Sequence, residues 1–198
     1  MNYNQTYLAK EDLQMKLEGK VGSLELNKII SAYEMADNAY NDMQLPDGTP
    51  HFFHCTRVCN IIISELELFD PDLICAALLH KIYAAEVEIS REIIDLNFGP
   101  YVAFLVEALK DEYKFFKDNP FKVEDDDKLR IPSDDYLIIW LADHLDTFRC
   151  LDYGVRMNPI KYIKETEKLL FGIAEDSNNL SIVYLLNELK QERNKILG

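Results

Sequence analysis

Histidine is rare in this sequence of 198 residues, and three of its four histidines stand where an imidazole could do chemistry. His54 begins one predicted helix, and His80 ends the most apolar one. His144 directly follows Asp143 inside a third apolar segment. Two imidazoles and one carboxylate from separate helices, His54, His80 and Asp143, could bind one metal ion. A hydrogen-bonded His–Asp pair in the core would satisfy the same buried groups, so the spacing leaves both interpretations open.

Four blocks of sequence around these residues resemble the HD hydrolase domain of the RelA/SpoT family, whose members hydrolyse guanosine tetraphosphate. Their order and separation make the resemblance more specific than any single block. The blocks are residues 48–54, 76–80, 97–106 and 141–143, within a region of about 30–153. The resemblance implies an all-α fold and a divalent metal, usually manganese, held by His54, His80, the residue after His80, and Asp143.

The residue after His80 departs from the family pattern, because Lys81 stands where the family has an aspartate. A charged ammonium group has no lone pair to give to a metal. Two unit charges about 4 Å apart repel by about 4 kcal/mol at an effective dielectric of 20, and a divalent ion roughly doubles that energy. We therefore predict that Lys81 swings away or takes the place of the metal by pairing with Asp143.

The water-activating positions are also changed. In the family a glutamate and an aspartate follow the His–Asp pair, and the matching residues here are Ala84 and Ala85. Neither side chain can act as a base. Glu86 and Glu88 are close in sequence, but on a helix they would point in other directions. We therefore assign no catalytic residue.

The positions that contact the nucleotide in the family are altered as well. Leu45 and Trp140 stand where relatives place basic residues, and Thr147 stands where they place an asparagine. Arg149 is kept. The resemblance therefore implies a ligand pocket with Lys81, Thr147 and Arg149 as its contacts.

These changes affect the metal, the water and the ligand contacts, while the apolar pattern of the scaffold is retained. We predict a non-hydrolytic HD-domain protein that holds no cofactor and binds a ligand, such as a nucleotide, or a protein partner. One alternative is sequestration of an intact nucleotide, with Lys81 and Arg149 contacting its phosphates.

The other alternative is an active metal-dependent phosphohydrolase of an alarmone such as (p)ppGpp. It would hold manganese or another divalent metal at the three remaining ligands, with water completing the coordination shell. Its base would come from His144, Asp146 or Glu86.

The formal net charge of -14 disfavours nucleic acid and anionic membranes as partners, because both require excess lysine and arginine. The N-terminus lacks the pattern of a signal peptide, and no apolar stretch approaches the roughly 20 residues of a membrane span. The four cysteines lie in apolar stretches without a CxxC pair, which predicts reduced core residues. We expect a cytoplasmic protein.

Apolar residues recur at helical spacing along most of the chain, which predicts an all-α bundle of roughly seven to nine helices. Residues 1–22 are predicted to be an N-terminal arm and residues 23–198 a single helical domain. A polar insertion is predicted at about 111–132. Its acidic run, 124–127, lacks the alternating ligands and the glycine of a calcium loop, so we predict a solvated loop there.

Overall fold

The computed structural model describes residues 2–40, 42–85, 89–110, 133–156 and 158–198, and these residues form an all-α bundle. The predicted fold class is therefore confirmed, with nine helices in the described ranges. They are α1 (Lys10–Leu17), α2 (Ser23–Tyr40), α3 (His51–Asn60), α4 (Pro71–Leu79), α5 (Arg91–Phe98), α6 (Pro100–Lys110), α7 (Asp134–Cys150), α8 (Pro159–Thr166) and α9 (Leu180–Leu197). A π-helical turn extends α3 over Ile61–Glu65, and a π-helical stretch, Glu167–Phe171, extends α8 into Gly172–Glu175.

Side-chain caps begin the helices that carry the site. The Asp70 carboxylate accepts hydrogen bonds from the backbone N–H groups of Asp72 and Leu73 at 2.9 and 3.0 Å, and Pro71 follows as the first residue of α4. The Ser133 hydroxyl likewise accepts from the N–H of Tyr136 at the start of α7.

Helices α4 and α7 form the centre of the bundle. Every residue from Leu73 to Leu79 is buried, and α7 packs against α3, α4, α6 and α9. Trp140, which replaces a basic residue of the resembled family, is fully buried. A helix that is apolar on nearly all sides can be stable only in such a central position. Asp143 and Asp146, in the middle of α7, are therefore buried.

The N-terminal segment contains α1 and packs against the core. Leu8, Leu13 and Leu17 are 5%, 0% and 0% exposed. The N–H of Leu8 donates to the Thr56 hydroxyl at 3.1 Å, and its carbonyl accepts from the Tyr33 hydroxyl at 3.0 Å. Leu13 and Leu17 are at helical spacing, but two residues give only a weak period, which is why this packing was not predicted.

The predicted insertion at 111–132, with its acidic run, lies outside the described residues, as do Glu86 and Glu88. In the part of the chain that is described, no helix combines the length and the apolar character needed to cross a bilayer.

Candidate functional site

Three helices place charged side chains against one another at the centre of the bundle. Spacings of three and four residues put side chains on one helix face. On α3 this spacing aligns His54 with Arg57, and on α7 it aligns Asp143 with Asp146. His80 and Lys81 follow the last residue of α4. Separate stretches of sequence therefore converge on one site.

These side chains form a continuous chain of alternating charges, which we call the charge chain. It runs from Arg57 through Asp146, His54 and Asp143 to Lys81. Arg57 Nε lies 2.8 Å from Asp146 Oδ1, and Asp146 Oδ2 lies 2.7 Å from His54 Nδ1. His54 Nε2 lies 3.0 Å from Asp143 Oδ1, and Asp143 Oδ2 lies 2.6 Å from Lys81 Nζ. Each buried charge thus has an opposite charge beside it, as burial requires.

His54 lies between two carboxylates, and both ring nitrogens contact an acceptor. Burial alone would lower the pKa of His54, but hydrogen bonds to Asp143 and Asp146 and their negative charges outweigh burial and raise it. The protonated ring donates from both nitrogens, which matches the geometry on both sides. His54 therefore acts as a cation in the middle of the charge chain.

Asp143 carries the contact that was predicted with Lys81. Burial acts to raise the pKa of Asp143, but the Lys81 ammonium and then the His54 hydrogen bond lower it well below its usual range. One carboxylate oxygen contacts Lys81 and the other contacts His54. Asp143 is consequently an ionised carboxylate whose two oxygens are both engaged.

Asp146 and Arg57 form the inner end of the charge chain, which the sequence analysis did not identify as a unit. The Tyr3 hydroxyl donates to Asp146 at 2.9 Å, and Arg57 donates to it twice, at 2.8 and 3.0 Å. Arg57 also donates to the carbonyls of Asn4 and Thr6. An arginine within the apolar stripe of α3 was the available sequence signal. Nothing in the sequence indicated that Tyr3 would reach this site.

His80 presents a free lone pair to the site. Its Nδ1–H donates to the Ala77 carbonyl at 2.7 Å, which fixes the tautomer, and burial lowers the pKa of His80 to about 3. Its Nε2 has no hydrogen-bond partner among the described residues and lies 3.9 Å from Asp143 Oδ2. The ring is therefore neutral, with an unused acceptor facing the carboxylate.

The donors for a metal are present in part. Ligand atoms of His54, His80 and Asp143 lie within 4.8 Å of one another. However, Lys81 contacts the Asp143 carboxylate and brings a positive charge to the position of the family's fourth ligand. The residues present therefore do not fit a divalent ion held in the four-ligand manner of the resembled family.

A cavity of about 170 Å³ lies beside the charge chain and opens to solvent past Pro46 and Arg156. Two of the predicted pocket residues, Lys81 and Thr147, line it. Leu45 forms part of its rim, where relatives place an arginine. The complete described lining is Leu45, Pro46, His51, His54, Arg57, Lys81, Asp143, Asp146, Thr147, Cys150, Val155 and Arg156.

Arg149, the third predicted pocket residue, does not line this cavity. Relative to Asp143, an ideal helix places Thr147 about 40° away and Arg149 about 120° away, so Arg149 faces a different side of α7. There it donates to both oxygens of Glu65 at 2.6 and 3.0 Å and to Glu188 at 3.1 Å. Arg149 therefore joins α7 to α9 and to the π-helical turn after α3. Arg156, which lies after α7, was not identified from the sequence.

The two candidate bases that the structure describes, His144 and Asp146, are both engaged by other side chains. Ala84 lies in a 3₁₀ turn over Ile82–Ala84, and Ala85 follows it. The ring of His144 contacts the Tyr162 hydroxyl at 2.7 Å, and burial lowers the pKa of His144 to about 4. Asp146 reaches the site but is engaged by Tyr3, His54 and Arg57. Glu86 lies outside the described residues.

Comparisons with known proteins agree with this architecture. A family model described as the HD domain matches residues 32–175, which is more than half of the chain. The chain is also similar to a solved structure of a metazoan SpoT ortholog that hydrolyses ppGpp and plays a role in starvation responses. The TM-score is 0.64 at 22% sequence identity, over 84% of this chain and 95% of that one. No curated protein matches. The chain belongs to the HD-domain family.

Proposed function

We propose that this HD-domain protein does not hydrolyse nucleotides and that its central site binds a ligand with Lys81 in place of a divalent metal. The observation that carries the proposal is the 2.6 Å contact between Lys81 Nζ and Asp143 Oδ2. The ammonium group supplies the positive charge that an ionised, buried carboxylate needs. A resident metal is therefore not required to balance this site.

Charge balance along the whole chain of groups supports the same conclusion. Asp146 is neutralised from one side by Arg57, and Asp143 from the other by Lys81, while His54 connects them. A divalent ion next to Asp143 would face the Lys81 ammonium and the His54 cation. Each repulsion would amount to several kcal/mol at distances of about 4 Å.

The engagement of the candidate bases that the structure describes supports a non-hydrolytic role. The family's water-activating positions hold alanines, and an alanine side chain can neither accept nor donate a proton. Asp146 already accepts hydrogen bonds from three side chains. Burial acts to raise the pKa of Asp146, but the hydrogen bonds and positive charges of His54 and Arg57 outweigh burial and lower it. A carboxylate held in this way is a weak base, and both of its oxygens already accept hydrogen bonds.

The test is release of phosphate or pyrophosphate from guanosine tetraphosphate in the presence of manganese. We expect no turnover above the rate without protein, whereas the metazoan SpoT ortholog serves as a positive control. Turnover that disappears in Asp143→Ala would contradict the proposal. An Asp135→Ala variant, altered near the exposed start of α7, controls for general effects of removing a carboxylate.

One observation favours a metal-dependent phosphohydrolase as the second candidate. The unpartnered Nε2 of His80 has the orientation and the neutral state of a metal ligand, with its Nδ1–H held by a backbone carbonyl. In that case His54, His80 and Asp143 would hold the metal and Lys81 would have to leave Asp143. The hydrolysis assay distinguishes the two candidates directly.

A further inference from the structure

We propose that the cavity beside Lys81 binds one phosphate-sized oxyanion and that Arg156 is its principal charged contact. This inference extends the proposed function, because it assumes that the cation beside Asp143 is Lys81. It names the chemistry of the ligand: a single tetrahedral oxyanion, either free or at the end of a longer molecule.

Arg156 is the cation at the cavity that has not been used by the charge chain. It is exposed and lines the opening, and it forms no ion pair with any residue that the structure describes. Its guanidinium lies over the Tyr162 ring, 4.7 Å from the ring centroid. Stacking on an aromatic ring orients the guanidinium plane and leaves the N–H groups at its edge available to a ligand.

The Tyr162 ring is itself held in place. Its hydroxyl lies 2.7 Å from Nδ1 of His144, and the His144 and Tyr162 rings lie 5.6 Å apart. Because the Tyr162 ring is fixed in this way, Arg156 would lose less conformational entropy on binding a ligand. The position of Arg156 is therefore prepared before a ligand arrives.

The charge at the cavity is opposite in sign to that of the whole protein. Its described lining contains three cationic side chains, Arg57, Lys81 and Arg156, and two carboxylates, Asp143 and Asp146. Arg57 and Lys81 neutralise the two carboxylates, so the charge of Arg156 is in excess. A cationic site in a chain of formal net charge -14 attracts anions locally while the remaining surface repels them.

The dimensions of the cavity limit the ligand. Pockets for drug-sized ligands occupy roughly 300 to 1,000 Å³. The volume here is about 170 Å³, which accommodates a phosphate-sized group but not a nucleoside together with its phosphates. Leu45, Pro46 and Val155 offer no hydrogen-bonding side chains. The polar contacts therefore come from the other lining residues, among which Thr147 adds a hydroxyl. Any larger part of a ligand would have to remain outside the opening.

The experiment is calorimetric titration of the full chain with inorganic phosphate in a buffer that contains EDTA. Arg156→Gln is compared with Lys161→Gln, because both variants lose one positive charge and Lys161 is an exposed residue outside this cavity. We expect saturable 1:1 binding by the wild type, about tenfold weaker binding by Arg156→Gln, and little change in Lys161→Gln. Circular dichroism of both variants verifies that they are folded.

A parallel titration with guanosine tetraphosphate distinguishes the two sources of the oxyanion. If free phosphate is the ligand, it binds in the Arg156-dependent manner and competes with the nucleotide. If the oxyanion is a terminal group, only the nucleotide shows the dependence on Arg156. The proposal is overturned if neither titrant binds, or if Arg156→Gln and Lys161→Gln weaken binding equally. Hydrolysis with manganese would refute the proposed function but would leave these metal-free titrations unaffected.

Discussion

The two ends of the charge chain contain the same kind of ion pair in different surroundings. Arg57 is 3% exposed and uses its guanidinium to contact Asp146, two backbone carbonyls and the Cys150 sulfur. Both cations line the same cavity, but the Lys81 side chain is 26% exposed, whereas that of Arg57 is 4% exposed. A planar guanidinium with five donors suits a closed, fully hydrogen-bonded position, whereas a flexible ammonium suits an open one. We therefore expect the inner end to stabilise the fold and the outer end to border the proposed ligand site.

The largest effect should follow from removing the inner cation. Arg57→Met leaves Asp146 buried beside a single cation and leaves the carbonyls of Asn4 and Thr6 without their donor. Breaking a buried ion pair by removing one partner costs about 3 to 5 kcal/mol. We expect a loss of that size in the free energy of unfolding, measured by urea denaturation. Arg91→Met, which removes an exposed arginine paired with Glu107, should change it by less than about 1 kcal/mol. Equal losses in the two variants would remove the distinction between inner and outer ion pairs.

The next effect concerns pH and His80. Because its pKa is lowered to about 3, folded His80 stays neutral while the unfolded chain gains a proton below about pH 6.5. The contribution of His80 to the free energy of unfolding is therefore fully present above about pH 6.5. It falls as the pH decreases toward 3, by up to about 1.4 kcal/mol per pH unit. His80→Asn should reduce the slope of unfolding free energy against pH between 6 and 5. An unchanged slope would show that His80 is protonated in the folded protein.

His54 contributes with the opposite sign to His80, whereas the two aspartates contribute with the same sign but at lower pH. Because the pKa of His54 is raised, its contribution is present below about pH 6.5 and is lost as the pH rises through the folded value. Because the pKa values of Asp143 and Asp146 are lowered, their contribution is present above about pH 4 and is lost as the pH falls through the folded values. The interval between pH 5 and 6.5 therefore reports mainly on the neutral histidines.

A smaller effect should follow from loss of the Tyr3 hydroxyl. Tyr3→Phe removes one hydrogen bond to the Asp146 carboxylate but preserves the ring that packs near Arg57. Hydrogen bonds to charged groups contribute about 1.5 to 3 kcal/mol, and we expect a value at the lower end because Asp146 keeps its other donors. Tyr7→Phe, in which the ring stacked on Phe53 is kept, is the matched control. No loss of stability in Tyr3→Phe would place the N-terminal segment outside the charge chain.

The smallest effect is expected at Arg149. Arg149→Gln breaks a partly exposed cluster with Glu65 and Glu188, and such pairs contribute about 1 kcal/mol or less. Because Arg149 does not line the cavity, phosphate affinity should be unchanged in the titration described above. A loss of affinity similar to that of Arg156→Gln would restore Arg149 to the ligand site.

The sequence was most informative where one local rule decided the outcome. Asp70 before Pro71 and Ser133 before an apolar run are local sequence signals for the starts of α4 and α7. The charge of Lys81, at a position that the family resemblance places near Asp143, made their contact one of two predicted outcomes. Local rules act within a few residues or between groups that a motif already brings together. For that reason the fold class and the core of the site could be predicted.

The sequence was least informative where distant segments meet. Tyr3 reaches Asp146 across 143 positions of sequence, and no periodicity could indicate that contact. Arg156 reaches the cavity opening after Gly154, whose φ of +81° lies in the left-handed region and ends the preceding 3₁₀ turn. Arg149 was misplaced for the opposite reason. The family resemblance suggested a ligand contact, but its position on α7 directs it toward Glu65 instead.

The most direct test of the account is the metal content of protein purified without chelator and dialysed against manganese. If Lys81 supplies the cation for Asp143, the wild type should contain far less than one manganese per chain by elemental analysis. Lys81→Asp should then bind manganese, because the change removes the ammonium group and restores the family's carboxylate. One manganese per wild-type chain, lost in His80→Ala, would contradict the central claim.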